Sequence, residues 1–144
     1  MSQSAPIVER PLCVLHVDDD PMNLRVVEEI LTAFGHTAVK ASSGAEALQH
    51  LGRQAFDVVL MDIHMPGMTG IEVVQRLRAS LGPERRTPVI ALTADVVSRR
   101  PDEYRSLGFS DFVSKPIMVS GLRAAIERVS ARGPSLPDRI SRRG

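Results

Sequence analysis

Three short stretches of this chain, Leu12–Val17, Val58–Met61 and Val89–Leu92, are apolar at nearly every successive position rather than at every second one. A strand with one face in water alternates apolar and polar side chains, whereas a strand covered on both faces does not. The runs therefore call for a parallel sheet with helices on both sides. Two weaker runs, Thr37–Lys40 and Asp111–Ser114, bring the number of expected strands to five. Between the runs lie amphipathic stretches with helix punctuation. Asp20 caps the first, Pro21 occupies its first turn, where a missing N–H costs nothing, and Leu24, Val27, Ile30, Leu31 and Phe34 recur at helical spacing until Gly35. Ser43 with Glu46 and Thr69 with Glu72 have capping-box spacing. They open helices expected to end at Gly52 and near Gly82-Pro83. A shorter helix is expected from Pro101 to Gly108 and a last one from about Ser120 to Gly133. The expectation is an α/β, doubly wound (βα)5 sandwich.

At 144 residues the chain has room for one domain, and its 43% hydrophobic content is enough for a core. The expected organisation is a flexible segment over 1–10, one folded domain over 11–132 and a flexible tail over 133–144, with no second domain. A net charge of +1 and 3% aromatic residues give no basis for nucleic-acid binding. No apolar stretch approaches the ~18 residues of a membrane span, and the start carries Pro6 and polar residues instead of a leader. The single cysteine, Cys13, excludes an internal disulfide and reads as a buried thiol. A cytoplasmic protein is expected.

In open α/β sheets chemistry gathers at the carboxyl ends of the strands. Here those ends carry Asp18-Asp19-Asp20, Asp62, Thr93 and Ser114-Lys115-Pro116. Carboxylates brought to one rim repel unless a cation shares the space. A hard dication with oxygen ligands, magnesium rather than zinc, suits that donor set. Lys115 adds a second positive charge fitted to phosphate oxygens.

The segments Val17-Asp18-Asp19-Asp20-Pro21-Met22-Asn23, Leu60-Met61-Asp62-Ile63-His64-Met65-Pro66-Gly67-Met68-Thr69-Gly70, Ala91-Leu92-Thr93-Ala94 and Ser114-Lys115-Pro116-Ile117 resemble, in this order, the receiver domains of two-component response regulators. The resemblance covers roughly residues 10 to 131 and implies strand order 2-1-3-4-5. It implies Asp62 as phosphoacceptor, accepting from a phosphohistidine donor. It also implies Asp19 as the main metal-binding carboxylate, Asp18 holding the ion through water, and the His64 backbone carbonyl as a further ligand of Mg2+. Thr93 and Lys115 match the residues that bind the phosphoryl oxygens. Phe112 matches an aromatic that swings inward when Thr93 moves, altering the surface of the fourth helix, fifth strand and fifth helix. The Lys115-Pro116 bond is a candidate for cis geometry. Partners so implied are a histidine kinase or histidine phosphotransfer protein and a downstream protein target. Self-catalysed phosphotransfer and slow autodephosphorylation would make the chain a switch rather than an enzyme.

Three competing functions fit less well. A constitutive binding module would not need Asp18, Asp19, Asp62, Thr93 and Lys115 together. A magnesium-dependent phosphohydrolase needs a second carboxylate two residues after its nucleophile, where this chain has His64. A dinucleotide-binding domain needs Gly-x-Gly-x-x-Gly after the first strand, which is absent. Further expectations concern single residues. Asp20 is only a helix cap, His16 is a satisfied core histidine, and His36 and His50 lie on the surface. His64 and Asp95 should overhang the phosphorylation pocket, either as two independent solvated side chains or paired across its mouth to control water access. Met22 and Val26, on the side of the first helix away from its apolar stripe, together with Ile117 form a docking patch for a histidine-bearing helix. Arg99, Arg100 and Arg105 form a solvated face or an output contact.

Overall fold

Every run read as a strand is one, and the difference between strong and weak runs reflects position in the sheet. The computed structural model describes residues 10–95 and 99–132, the last two by backbone alone. Five strands, β1 (Cys13–Val17), β2 (Thr37–Ala41), β3 (Val58–Asp62), β4 (Val89–Thr93) and β5 (Asp111–Ser114), form one parallel sheet in the order β2-β1-β3-β4-β5. The continuous apolar runs are the three inner strands, with β3 and β4 buried at every position. The weaker runs, β2 and β5, are the edges, where one flank needs no cover.

Five helices cover the faces: α1 (Pro21–Ala33), α2 (Gly44–Arg53), α3 (Gly70–Ala79), α4 (Pro101–Ser106) and α5 (Val119–Arg132). The Asp20 side chain accepts from the Met22 N–H at 3.0 Å, the cap read from sequence. Leu24, Val27 and Leu31 are the buried stripe of α1, each such side chain contributing ~1.5–3 kcal/mol when removed from water. Gly35, at φ +92°, supplies the left-handed turn that ends the helix. The Thr69–Glu72 capping box closes in both directions. The one at Ser43 is half formed, because Glu46 turns instead to the N–H and hydroxyl of Ser42.

The two faces make two cores. One holds Leu15, Val17, Met61, Val73, Leu77 and Tyr104, and the other Val14, Val27, Leu31, Leu60, Ile126 and Val129. Several boundaries differ from expectation by a residue or more. Helix α3 stops at Ala79, and a short 3-10 helix, Pro83–Arg86, fills the connection before β4. Helix α4 is only six residues long, and α5 begins one residue early, at Val119. Of the expected flexible segments, 1–9 and 133–144 lie outside the described residues; Arg10 reaches Asp57 at 3.3 Å. No helix among the described residues is long and apolar enough to cross a membrane.

Cys13 is half-buried rather than buried, since it opens β1 beside the edge and faces Gln54 at 3.5 Å. His36 is not a plain surface residue: its Nδ1 accepts from the Leu12 N–H at 3.0 Å, closing the turn into β2. His50 is half-exposed beside Glu46.

Candidate functional site

The sheet register brings the ends of β1, β3, β4 and β5 to one rim. Oxygens of Asp18, Asp19 and Asp62 lie within 4.8 Å of one another. Asp18 and Asp62 are buried and Asp19 is exposed, so the cluster opens to solvent on one side. Each acid is held differently. Asp18 accepts from the Asp20 N–H at 2.9 Å and from the Asn23 amide at 3.2 Å, so the first turn of α1 fixes it. Asp62 is positioned by the start of α3, where the Gly70 N–H donates to the Ile63 carbonyl at 3.0 Å. A Cβ at Gly70 would collide with the Asp62 carbonyl, and only glycine allows that approach.

Lys115 enters from the end of β5, across a cis Lys115-Pro116 bond. Its Nζ donates to Asp62 Oδ1 at 3.1 Å and lies 3.6 Å from Asp18 Oδ2. Burial raises the Asp62 pKa, the Lys115 hydrogen bond opposes that rise, and the Asp18 charge adds to it; the net shift is upward. Burial alone would lower the Lys115 pKa, but the hydrogen bond to Asp62 and the charges of both acids outweigh it and raise it. One ammonium therefore faces two buried carboxylates, and a third, Asp19, lies beside them at the surface. An all-oxygen donor set with this charge excess fits a hard dication such as magnesium.

Thr93, buried at the tip of β4, is satisfied by backbone: its Oγ1 accepts from the Asp95 N–H at 3.0 Å and donates to the Asp95 carbonyl at 3.3 Å. Phe112 is half-buried against the core.

The match to the response regulator receiver domain family spans residues 14–127. The chain belongs to that family. It is 35% identical over 114 residues to the sensor protein GacS of Pseudomonas syringae, covering 78% of this chain and 13% of that protein. It is 35% identical over 117 residues to the aerobic respiration control sensor protein ArcB of Escherichia coli, covering 81% of this chain and 15% of that protein. This receiver thus spans a small part of the length of these relatives. Among solved structures, the Vibrio cholerae chemotaxis protein CheY4 superposes with a TM-score of 0.76 at 30% identity, over 83% of this chain and 99% of that one. The receiver domain of the Pseudomonas aeruginosa sensor histidine kinase PA1611, with a magnesium ion coordinated in its active site cleft, gives 0.75 at 29% identity, over 84% and 99%. The chain is a receiver domain of two-component phosphorelay signalling, a family of switches rather than enzymes.

Several single-residue expectations are revised. His16 is a core residue, 1% exposed, but it is not satisfied: among the described residues neither ring nitrogen has a hydrogen-bond partner, and Nε2 stands 3.9 Å from Asp18 Oδ2. His64 is exposed, and no hydrogen bond or ion pair among the described residues joins it to Asp95, whose backbone folds back on Thr93. Met22 and Val26 are exposed as expected, at 67% and 45%. Ile117 is half-buried, packed against one core, and Met118 and Val119 are exposed beyond β5. Arg100 and Arg105 are exposed and Arg99 half-exposed. Two residues escaped the sequence reading. Arg78 binds the carbonyls of Gly108, Arg85 and Thr87, and Tyr104 is fully buried beneath Phe112. Helical spacing does not tell which backbone carbonyls an arginine reaches or which ring a tyrosine meets.

Proposed function

We propose that Asp62 accepts a phosphoryl group from a phosphohistidine donor and that the acyl phosphate switches the surface of α4, β5 and α5. An ionised Asp62 oxygen attacks phosphorus; the P–N bond breaks, its electron pair returns to the imidazole, and a P–O bond forms. Asp18, Asp19 and Asp62, with the His64 backbone carbonyl, would hold Mg2+, Asp18 through water. When bound there, such a dication would offset charge developing on the transferring oxygens. Lys115 then pairs with one phosphoryl oxygen, exchanging a carboxylate partner for a more highly charged one, and Thr93 donates to another. With Thr93 drawn away from Asp95, Phe112 moves inward and the outer surface changes. Slow self-catalysed hydrolysis returns the resting state.

The observation that carries this reading is the meeting of three carboxylates within 4.8 Å, faced by one ammonium 3.1 Å from Asp62. Residues 11–132 act as the receiver unit, in the cytoplasm, with a histidine kinase or histidine phosphotransfer protein as donor and a protein as downstream target. Met22 and Val26, both exposed, with the half-buried Ile117 remain the proposed docking patch for the donor helix. Alanine at Met22 and Val26 should slow transfer from the cognate donor while sparing acetyl phosphate.

The test is incubation with acetyl phosphate, with and without magnesium, read by intact mass. Wild type should gain one phosphoryl group only with magnesium, and Asp62→Asn should gain none. Equal incorporation by Asp62→Asn would refute the assignment.

A further inference from the structure

Thr93 has a neighbour that the proposed switch does not use. Tyr104, the buried residue of α4, is 1% exposed and stacks on Phe112, with ring centroids 5.4 Å apart and planes 17° from parallel. Its ring also meets Phe109 edge-on at 6.0 Å. Its hydroxyl donates to the Asp95 carbonyl at 3.3 Å, the oxygen to which Thr93 Oγ1 also donates at 3.3 Å. One backbone oxygen thus receives a hydroxyl from the tip of β4 and another from α4.

We infer that Tyr104 couples Thr93 to the α4–β5 face through that shared Asp95 carbonyl. The inference rests on the reading of Asp62 as phosphoacceptor. A threonine hydroxyl has one hydrogen. When it turns to a phosphoryl oxygen it leaves the Asp95 carbonyl, and the shift also breaks the bond that Oγ1 accepts from the Asp95 N–H. The Tyr104 hydroxyl keeps its hold on the same oxygen, so the Asp95 backbone passes from the control of β4 to that of α4. The Tyr104 ring lies flat against Phe112, so displacement of α4 is delivered directly to the aromatic of β5. Phe112 carries no hydroxyl with which to sense the site, and Tyr104 supplies the polar contact.

The sequence has one tyrosine and no tryptophan, so tyrosine emission reports Tyr104 alone. Wild-type protein is treated with acetyl phosphate and magnesium while emission and intact mass are followed together. Emission should change in step with the added phosphoryl mass, and Asp62→Asn should show neither. Full phosphorylation by mass with unchanged emission would overturn the role of Tyr104; absence of the added mass would overturn the acceptor reading, and this inference with it. A second arm uses Tyr104→Phe, which keeps the ring and removes the hydroxyl. It should still take up phosphate. Its phosphorylation-dependent change in amide exchange across α4 should fall from about fivefold to under twofold, the factor carried by roughly one net hydrogen bond. An undiminished exchange response in Tyr104→Phe would sink the coupling.

Discussion

The two ends of β3 carry two aspartates in opposite circumstances. Asp57, just before the strand, accepts from the Cys13 N–H at 2.7 Å and pairs with Arg10 at 3.3 Å. Asp62, its last residue, is buried beside Asp18 with one shared ammonium, and its pKa is raised by burial first. Five residues apart at the two ends of one strand, the first ties connections together and the second is charged at a cost. The amino ends of the strands are built for stability, and the carboxyl ends hold a charge excess that a dication and a phosphoryl group can use.

The contrast is open to attack by substitution and by pH. The largest effect belongs to Asp62→Asn, which should cut phosphoryl incorporation by roughly a thousandfold or more, as loss of a nucleophile does; phosphoprotein mass spectrometry reads it. Next in size is an acid limb of stability. Burial lowers the His16 pKa from 6.5 to about 4, and that of His36 is also lowered, chiefly by burial. The unfolded chain binds more protons in that window, so the stability contributed by neutral histidines is complete above pH 6.5 and is lost as pH falls toward about 4. For His16 the loss is on the order of 3 kcal/mol. Urea unfolding across that range should show the limb in wild type and a flatter one in His16→Leu; identical profiles would contradict it.

Asp57→Ala should cost about 1–3 kcal/mol by orphaning the Cys13 N–H, while phosphorylation stays at the wild-type level. The smallest effect has the opposite sign. The folded pKa of Asp62 lies above its unfolded value, so the folded state binds more protons in the window above the ordinary 3.8, and the ionised carboxylate is a burden at neutral pH. Metal-free Asp62→Asn should therefore be more stable than wild type by about 0.5–2 kcal/mol. If both aspartate variants destabilise equally, the two ends of β3 do not differ as described.

The sheet was legible because burial leaves an unbroken apolar signature on β1, β3 and β4, and the acids were legible because each lies at or just beyond a strand end. The edge strands were fainter because β2 and β5 need cover on fewer sides. Features set by tertiary contact left no such trace. The partnerless nitrogens of His16, the half-burial of Ile117 and the shared carbonyl between Thr93 and Tyr104 all depend on which element packs above which. A six-residue helix such as α4 is also too short for periodicity to show that Tyr104 faces inward.

Thermal unfolding against added magnesium probes the charge excess itself. Wild type should gain about 2.7 kcal/mol at a hundredfold excess over its dissociation constant, with a rising Tm, and Asp62→Asn should gain far less. A wild-type Tm indifferent to magnesium through the millimolar range, or an equal rise in the variant, would contradict the claim that these three carboxylates form a cation site.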